Sequence, residues 1–119
     1  MITWKYHKKT ESVIMVYGFS EDSDRHYSAV LTLCIKGDST FAYGFLEDKS
    51  KLLITLENLW GLWDTLCGIL PTRYLVFEAL PEHAAFYKHK LPVVATENTT
   101  TFNGIESEVL TIELKKVER

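Results

Sequence analysis

The stretch Asp48 to Leu70, DKSKLLITLENLWGLWDTLCGIL, decides the fold. Its apolar residues recur at intervals of three and four, which is the period of one face of an α-helix. This row consists of Leu52, Leu56, Leu59, Trp63, Leu66 and Leu70, with Leu53, Trp60 and Cys67 beside it. Asp48 or Ser50 could cap the start, and Pro71 follows the end. Because so wide an apolar face must be buried, we predict that the helix packs against a sheet.

The length of 119 residues predicts one domain with its own core. A net charge of −3 argues against a nucleic-acid partner, since binding to phosphates needs a basic surface. The longest apolar run contains Glu57 and Asp64, so no membrane span is expected. Met1 to Thr10 lacks a secretory hydrophobic region, which favours a cytoplasmic protein. Cys34 and Cys67 are far apart in the chain and are predicted to be buried free thiols.

Four segments before the long helix alternate apolar and polar residues with the period of a β-strand. They begin near Ile2, Val13, Tyr27 and Thr40. Gly37-Asp38-Ser39 is a tight turn between the last two, which form the end of an antiparallel meander. Gly44, inside the fourth strand, indicates a bulge or a close approach of another backbone.

The segment Arg73–Leu80 is almost continuously apolar, which predicts a central strand with both faces buried. Since a helix precedes it, the right-handed crossover rule makes it parallel to Thr40–Leu46. A short helix over Glu82–Lys90 and a hairpin around Asn103-Gly104 follow, and the charged tail Lys115–Arg119 is predicted to fray. The predicted order is therefore β-β-β-β-α-β-α-β-β, an α+β fold with a mixed sheet.

This order, with PEHAAFYKHKL at positions 81–91 after the apolar strand, resembles the GNAT N-acetyltransferase family. In that family a short helix with an aromatic–tyrosine pair follows a strand and leads into a final hairpin. Phe86 and Tyr87 form that pair here. The resemblance implies a GNAT-like fold, and it makes Tyr87 the general acid that protonates a departing thiolate.

The family binds the pyrophosphate of acetyl-CoA at a glycine-rich turn before the long helix. This chain has no glycine between Gly44 and Gly61, and Glu47 and Asp48 place negative charge at that position. Our leading interpretation is therefore that the acetyl-CoA site is degenerate and that no cofactor is bound. In the alternative, acetyl-CoA would be held by the main chain of Phe45 and Leu46 and by the side chains of Lys49 and Lys51.

Two residues could carry acyl-transfer chemistry. A tyrosine hydroxyl is protonated at neutral pH, as a general acid must be, so Tyr87 fits that role. Tyr87 could equally be a packing residue at the edge of the core. Glu78 lies late on an apolar strand, where a carboxylate could act as the general base, or could pair with a lysine or a backbone N–H.

Other classes of site have no support in the sequence. The four histidines show no metal-ligand spacing, and no nucleophile elbow, Walker loop or dinucleotide fingerprint occurs. Small phage-encoded proteins with this fold and a lost cofactor loop are similar in element order. The leading hypothesis is a cytoplasmic or virion protein that binds a protein partner or forms a homodimer, as a phage virion component or a host-directed factor. The alternative is a divergent acetyl-CoA-dependent N-acyltransferase.

Overall fold

The structure is a computed structural model that describes residues 2–20, 29–47, 56–100 and 103–118. These residues form seven strands and two helices in the predicted order. The elements are β1 Ile2–Lys8, β2 Val13–Ser20, β3 Ala29–Lys36, β4 Ser39–Glu47, α1 Leu56–Ile69, β5 Tyr74–Ala79, α2 Pro81–Lys90, β6 Val93–Thr100 and β7 Glu106–Glu113. The first residues of the predicted long helix, 48–55, and both candidate caps lie outside the described residues.

The strands of the described chain form one sheet in the order β1-β2-β3-β4-β5-β7-β6. β1 to β4 make an antiparallel meander, and β5, β7 and β6 are also paired antiparallel. Only the pairing of β4 with β5 is parallel among the described strands. The mixed α+β sheet, the central position of β5 and the crossover through α1 are therefore confirmed.

One face of the sheet carries the core. Both helices pack on this face, because their apolar residues belong to the same buried cluster. The helix α1 and the residue after it contribute Leu59, Trp63, Leu66 and Leu70, and α2 and the residue after it contribute Ala84 and Leu91. The pairing register puts the buried strand residues of this cluster on one side of the sheet. They are Ile14, Val16, Leu31, Leu33, Leu75, Leu110 and Ile112. The fold therefore has two layers, a sheet and a pair of helices.

The opposite face of the sheet is not covered by a helix in the described chain. The prediction that β5 is buried on both faces is wrong, because Val76 is only half-buried and Glu78 is exposed. Leu75 and Ala79, on the helix side of the same strand, are buried. An apolar run identifies a central strand here without showing that both of its sides are covered.

Trp4 connects the edge strand β1 to helix α1. A Cβ atom at Gly18 would lie 2.7 Å from the indole ring, and one at Gly61 would lie 3.3 Å from its Nε1. The ring therefore occupies space that two glycines leave free. Its Nε1 is buried and has no hydrogen-bond partner within the part of the chain that the structure describes.

The predicted fraying of the tail is wrong for residues 115–118. The indole Nε1 of Trp63, a residue only 2% exposed, donates to the carbonyl oxygen of Lys115 at 3.0 Å. The Leu114 amide donates to the carbonyl of Arg73 at 2.8 Å, and Val117 packs against the core. These contacts hold the end of the chain against α1.

Candidate functional site

The candidate site is a cleft between β4 and β5. These parallel strands pair over three positions only, from Ser39–Tyr74 to Phe41–Val76, although both strands continue further. Beyond Phe41 the edge of β4 that faces β5 has no strand partner among the described residues. The two strands therefore separate in the middle of the sheet, with backbone donors and acceptors facing the gap.

A β-bulge bends β4 where the gap begins. Thr32 of β3 pairs with Gly44, and the next residue, Leu33, pairs with Ala42, so Tyr43 is the extra residue. A bulge of this kind bends its strand and increases the local twist. It lies next to Gly44, in agreement with the expectation that this glycine marks an irregularity in the strand.

Two buried threonines hold the closed end of the cleft. The hydroxyls of Thr40 and Thr72 are 2.6 Å apart, and Thr72 also donates to the carbonyl of Tyr74 at 3.2 Å. Because Thr72 gives its proton to that carbonyl, Thr40 is the donor in the pair. The amides of Arg73 and Tyr74 both donate to the carbonyl of Asp38, which ties the start of β5 to the turn before β4.

The cleft has a volume of about 700 Å³ and passes between the two strands from one face of the sheet to the other. Its helix-side wall is mostly apolar, with Leu59 and Trp63, and also includes His83 of α2. Glu78 and Ser107 line the cleft from the open side. Small-molecule sites have this character, with apolar walls and a few placed polar groups. The volume is sufficient for a ligand of moderate size.

Tyr87 lines the cleft, as its predicted role requires. It lies on α2 and is half-buried. Its ring packs edge-on against Phe77 of β5, with centroids 5.1 Å apart, and against Phe86 at 5.7 Å. The aromatic contacts fix the ring on the helix side of the gap, so packing and a catalytic role are compatible at this residue.

Glu78 lines the same cleft from the opposite side of the sheet. The buried Ser107 hydroxyl of β7 donates to Glu78 Oε1 at 2.6 Å, which orients the carboxylate. The sequence expectation that Glu78 could be a buried acid does not match its exposed side chain. Ser107 was not identified from the sequence, since its contact with Glu78 depends on the register of β5 and β7.

The predicted cofactor residues divide into two groups. Phe45 and Leu46 lie in β4, where they pair with Leu31 and Val30 of β3, on the part of β4 that has left β5. Their main chain is thus beside the gap, as the alternative hypothesis requires. Lys49 and Lys51 lie outside the described residues.

A basic group lies near the open mouth of the cleft. The Lys36 ammonium is 5.3 Å from the centroid of the Tyr43 ring and 5.8 Å from that of Phe41. A side-chain hydrogen bond with Tyr43 raises the pKa of Lys36, although the lysine is fully exposed. Lys36 therefore keeps its positive charge, and the Tyr43 side chain is held on the open face of the sheet.

The described residues include two thiols but no group of metal ligands. Within the described residues, no group of three histidine, cysteine or acidic side chains could hold a metal ion, and none of the helices is long and apolar enough to cross a membrane. Cys34 and Cys67 are free thiols, as predicted, but both are half-buried rather than fully buried. Burial, with a smaller contribution from Asp64, raises the pKa of the Cys67 thiol.

Comparison with known proteins supports the fold. No protein-family model matches the sequence, and no curated protein sequence matches it significantly. Several solved structures do match the described architecture. The ribosomal-protein-S18-alanine N-acetyltransferase from Escherichia coli superposes with a TM-score of 0.62 at 13% identity, over 92% of this chain and 74% of that chain. The chain has a GNAT-like fold.

Two other GNAT-like neighbours extend this similarity. FeeM, an N-acyl amino acid synthase from uncultured soil microbes, has a TM-score of 0.68 at 9% identity, over 89% of this chain and 71% of that chain. The Arabidopsis thaliana protein NAA60, solved in complex with acetyl-CoA, has a TM-score of 0.56 at 10% identity, over 87% of this chain and 77% of that chain. At such identities the similarity concerns the fold alone.

Proposed function

We propose that this protein is a divergent N-acyltransferase that moves an acyl group from a coenzyme A thioester to an amine. The observation that carries the proposal is the cleft between β4 and β5, with Tyr87 and Glu78 on opposite walls. A GNAT-like neighbour that binds acetyl-CoA gives the choice of thioester. This is the alternative hypothesis from the sequence, and the open cleft supports it.

The residues of the cleft suit this reaction. The unpaired edge of β4 at Phe45 and Leu46 can hydrogen-bond an extended acyl-pantetheine arm in the manner of a neighbouring strand. As the amine attacks the thioester carbonyl, a C–N bond forms, the C–S bond breaks, and Glu78 accepts the proton from the amine. Tyr87 gives its proton to the departing sulfur, and the proton on Glu78 returns to Tyr87 through solvent.

Thermal shift with acetyl-CoA tests the binding step. A ligand at 100 times its Kd adds about 2.7 kcal/mol of stability. For a chain of 119 residues this corresponds to roughly 10 °C. If millimolar acetyl-CoA leaves the melting temperature unchanged, the acyltransferase proposal is wrong.

The Tyr87→Phe variant tests the chemistry. It should keep the acetyl-CoA shift while the release of the coenzyme A thiol to a panel of amines falls by about 10²-fold or more. Tyr74→Phe is the matched control, since Tyr74 lies on β5 and does not line the cleft. Equal rates for Tyr87→Phe and the wild type would exclude Tyr87 as the acid.

Protein binding is a second candidate function, and the face of the sheet without a helix favours it. That face runs across all the described strands, and its apolar side chains are absent from the buried core. A role in a phage virion or against a host factor stays a prediction. The test of protein binding is the oligomeric state of the chain in solution.

A further inference from the structure

We propose that the helix-free face of the sheet binds a second copy of this chain, in a symmetric dimer whose two-fold axis runs parallel to the strands. The proposal rests on the second candidate function, protein binding, and does not depend on acyl transfer. We call this surface the open face, and it is made of the strand residues that alternate with the buried core residues.

The open face is apolar at its centre. It presents half-buried side chains from five neighbouring strands, none of which packs into the core cluster. Examples are Met15, Val30, Phe41, Val76 and Val109. Contiguous apolar surface on this scale is typical of a surface that contacts another molecule.

The charges of the open face are separated by sign. On the half of this face formed by β1, β2 and β3, the lysines at strand positions are Lys5 and Lys36. The half formed by β5, β7 and β6 carries Glu78, Glu97 and Glu113. Glu113 is already paired with Arg73 and Lys115, at 3.8 and 3.5 Å, so Glu78 and Glu97 remain as the acidic groups available to a partner.

The separation of lysines from glutamates on the open face favours a second copy of the chain as the partner and one orientation of the two-fold axis. β4 is the middle strand of the seven described, so a two-fold axis along β4 lays β1 of one copy over β6 of the other. By the pairing register Lys5 then faces Thr99 of the partner subunit, two residues or about 7 Å along β6 from Glu97. The long lysine side chain can span that distance to the Glu97 carboxylate, and the same contact occurs twice. A two-fold axis across the strands would instead place β1 over β1, with lysine facing lysine, which is unfavourable.

The area is sufficient for a stable dimer. At about 4.8 Å between strands and 3.3 Å per residue, seven strands of about six residues span roughly 30 by 20 Å. Side-chain relief increases this flat area of about 600 Å² towards the roughly 800 Å² per partner that a standard interface buries. Two sheets packed face to face in an aligned orientation are also a common arrangement.

The dimer has a consequence for the cleft. The gap between β4 and β5 opens onto this face beside Tyr43 and Glu78. With the axis along β4, β3 of one copy lies over β5 of the other. The second copy therefore closes the open-side mouth of the cleft and restricts access to Glu78 along the interface.

Charge reversal tests the proposal with the full chain. Sedimentation equilibrium of the wild type at about 100 μM should give twice the chain mass of 13.7 kDa. Lys5→Glu and Glu97→Lys should each weaken the dimer by about tenfold or more, since each variant creates two like-charge contacts. An equimolar mixture of the two variants should regain the wild-type affinity as a heterodimer, because both contacts then join opposite charges.

Two control substitutions lie on the other face of the sheet, one on β1 itself and one on β7, the neighbour of β6. Lys8→Glu in β1 and Glu106→Lys in β7 should leave the dimer affinity within about twofold of wild type. A monomeric wild type, or variants that fail to rescue each other in the mixture, would overturn the proposal. If the wild type is a monomer that still turns over acetyl-CoA, only the dimer proposal is wrong. If it is a dimer that does not bind acetyl-CoA, only the acyltransferase proposal is wrong.

Discussion

Removing either of the two hydroxyls at the closed end of the cleft should destabilise the fold, but by different amounts. Thr40 is 0% exposed, and its described hydrogen bond is to Thr72 at 2.6 Å. Thr72 has a second acceptor, the carbonyl of Tyr74 at 3.2 Å. Thr40→Val removes one hydrogen bond and leaves Thr72 satisfied, so the free energy of unfolding should fall by about 1 kcal/mol.

Thr72→Val should cost more than Thr40→Val. It leaves the Thr40 hydroxyl buried without its partner, which costs roughly 2 kcal/mol. The double variant removes both hydroxyls and leaves no orphan, so its cost should return to about 1 kcal/mol. The coupling energy, the double cost minus the two single costs, is then about −2 kcal/mol.

Urea denaturation, followed by tryptophan fluorescence, measures these differences in the free energy of unfolding, and thermal denaturation measures the matching shifts in melting temperature. At about 2.1 cal/mol/K of unfolding entropy per residue, 1 kcal/mol corresponds to roughly 4 °C for 119 residues. Thr72→Val should therefore melt about 8 °C below the wild type and about 4 °C below the double variant. Additive costs, or a larger cost for Thr40→Val, would refute the hydrogen-bond assignment at this junction.

Three further predictions concern α1 and β2. Trp63→Phe loses the bond to the Lys115 carbonyl and leaves a hole, so unfolding should become about 2 kcal/mol easier and amide exchange should rise in the tail. Gly18→Ala places a methyl group 2.7 Å from the Trp4 ring and should destabilise the fold by about 2 kcal/mol in the same denaturation assay. Because the pKa of Cys67 is raised, its thiolate fraction is low in the folded chain. At pH 8 iodoacetamide should therefore label Cys67 more slowly in the folded chain than in the urea-unfolded chain, and the midpoint of its labelling rate against pH should lie higher. Identical pH profiles of Cys67 labelling in the two states would contradict this.

The elements and their order could be predicted because each carries a strong local period. The repeat of three and four in the stretch 56–70 identifies α1, and alternation identifies the meander. The crossover rule then predicts that β5 is parallel to β4, as observed. Tyr87, which the resemblance to the GNAT family singled out, lines the cleft, and its catalytic role stays a prediction.

The open face and the shape of the cleft could not be predicted in this way. An apolar side chain such as Val76 has the same sequence signature whether a helix covers it or another molecule does. The bulge at Tyr43 depends on which residue of β3 pairs with which residue of β4. The contact between Ser107 and Glu78 joins residues 29 apart, and it exists only once β7 has paired with β5.

The slot that holds Trp4 also determines how the first strand can add to the sheet. β1 is an edge strand, and its alternating pattern alone would tolerate a shift along β2. A slip by one position would turn the Trp4 ring to the opposite face of the sheet. A slip by two positions would put Val16 beneath the indole in place of Gly18, where even a Cβ atom would lie 2.7 Å from the ring. The steric fit of Trp4 against Gly18 thereby selects one register for the pairing of β1 with β2 as the sheet forms.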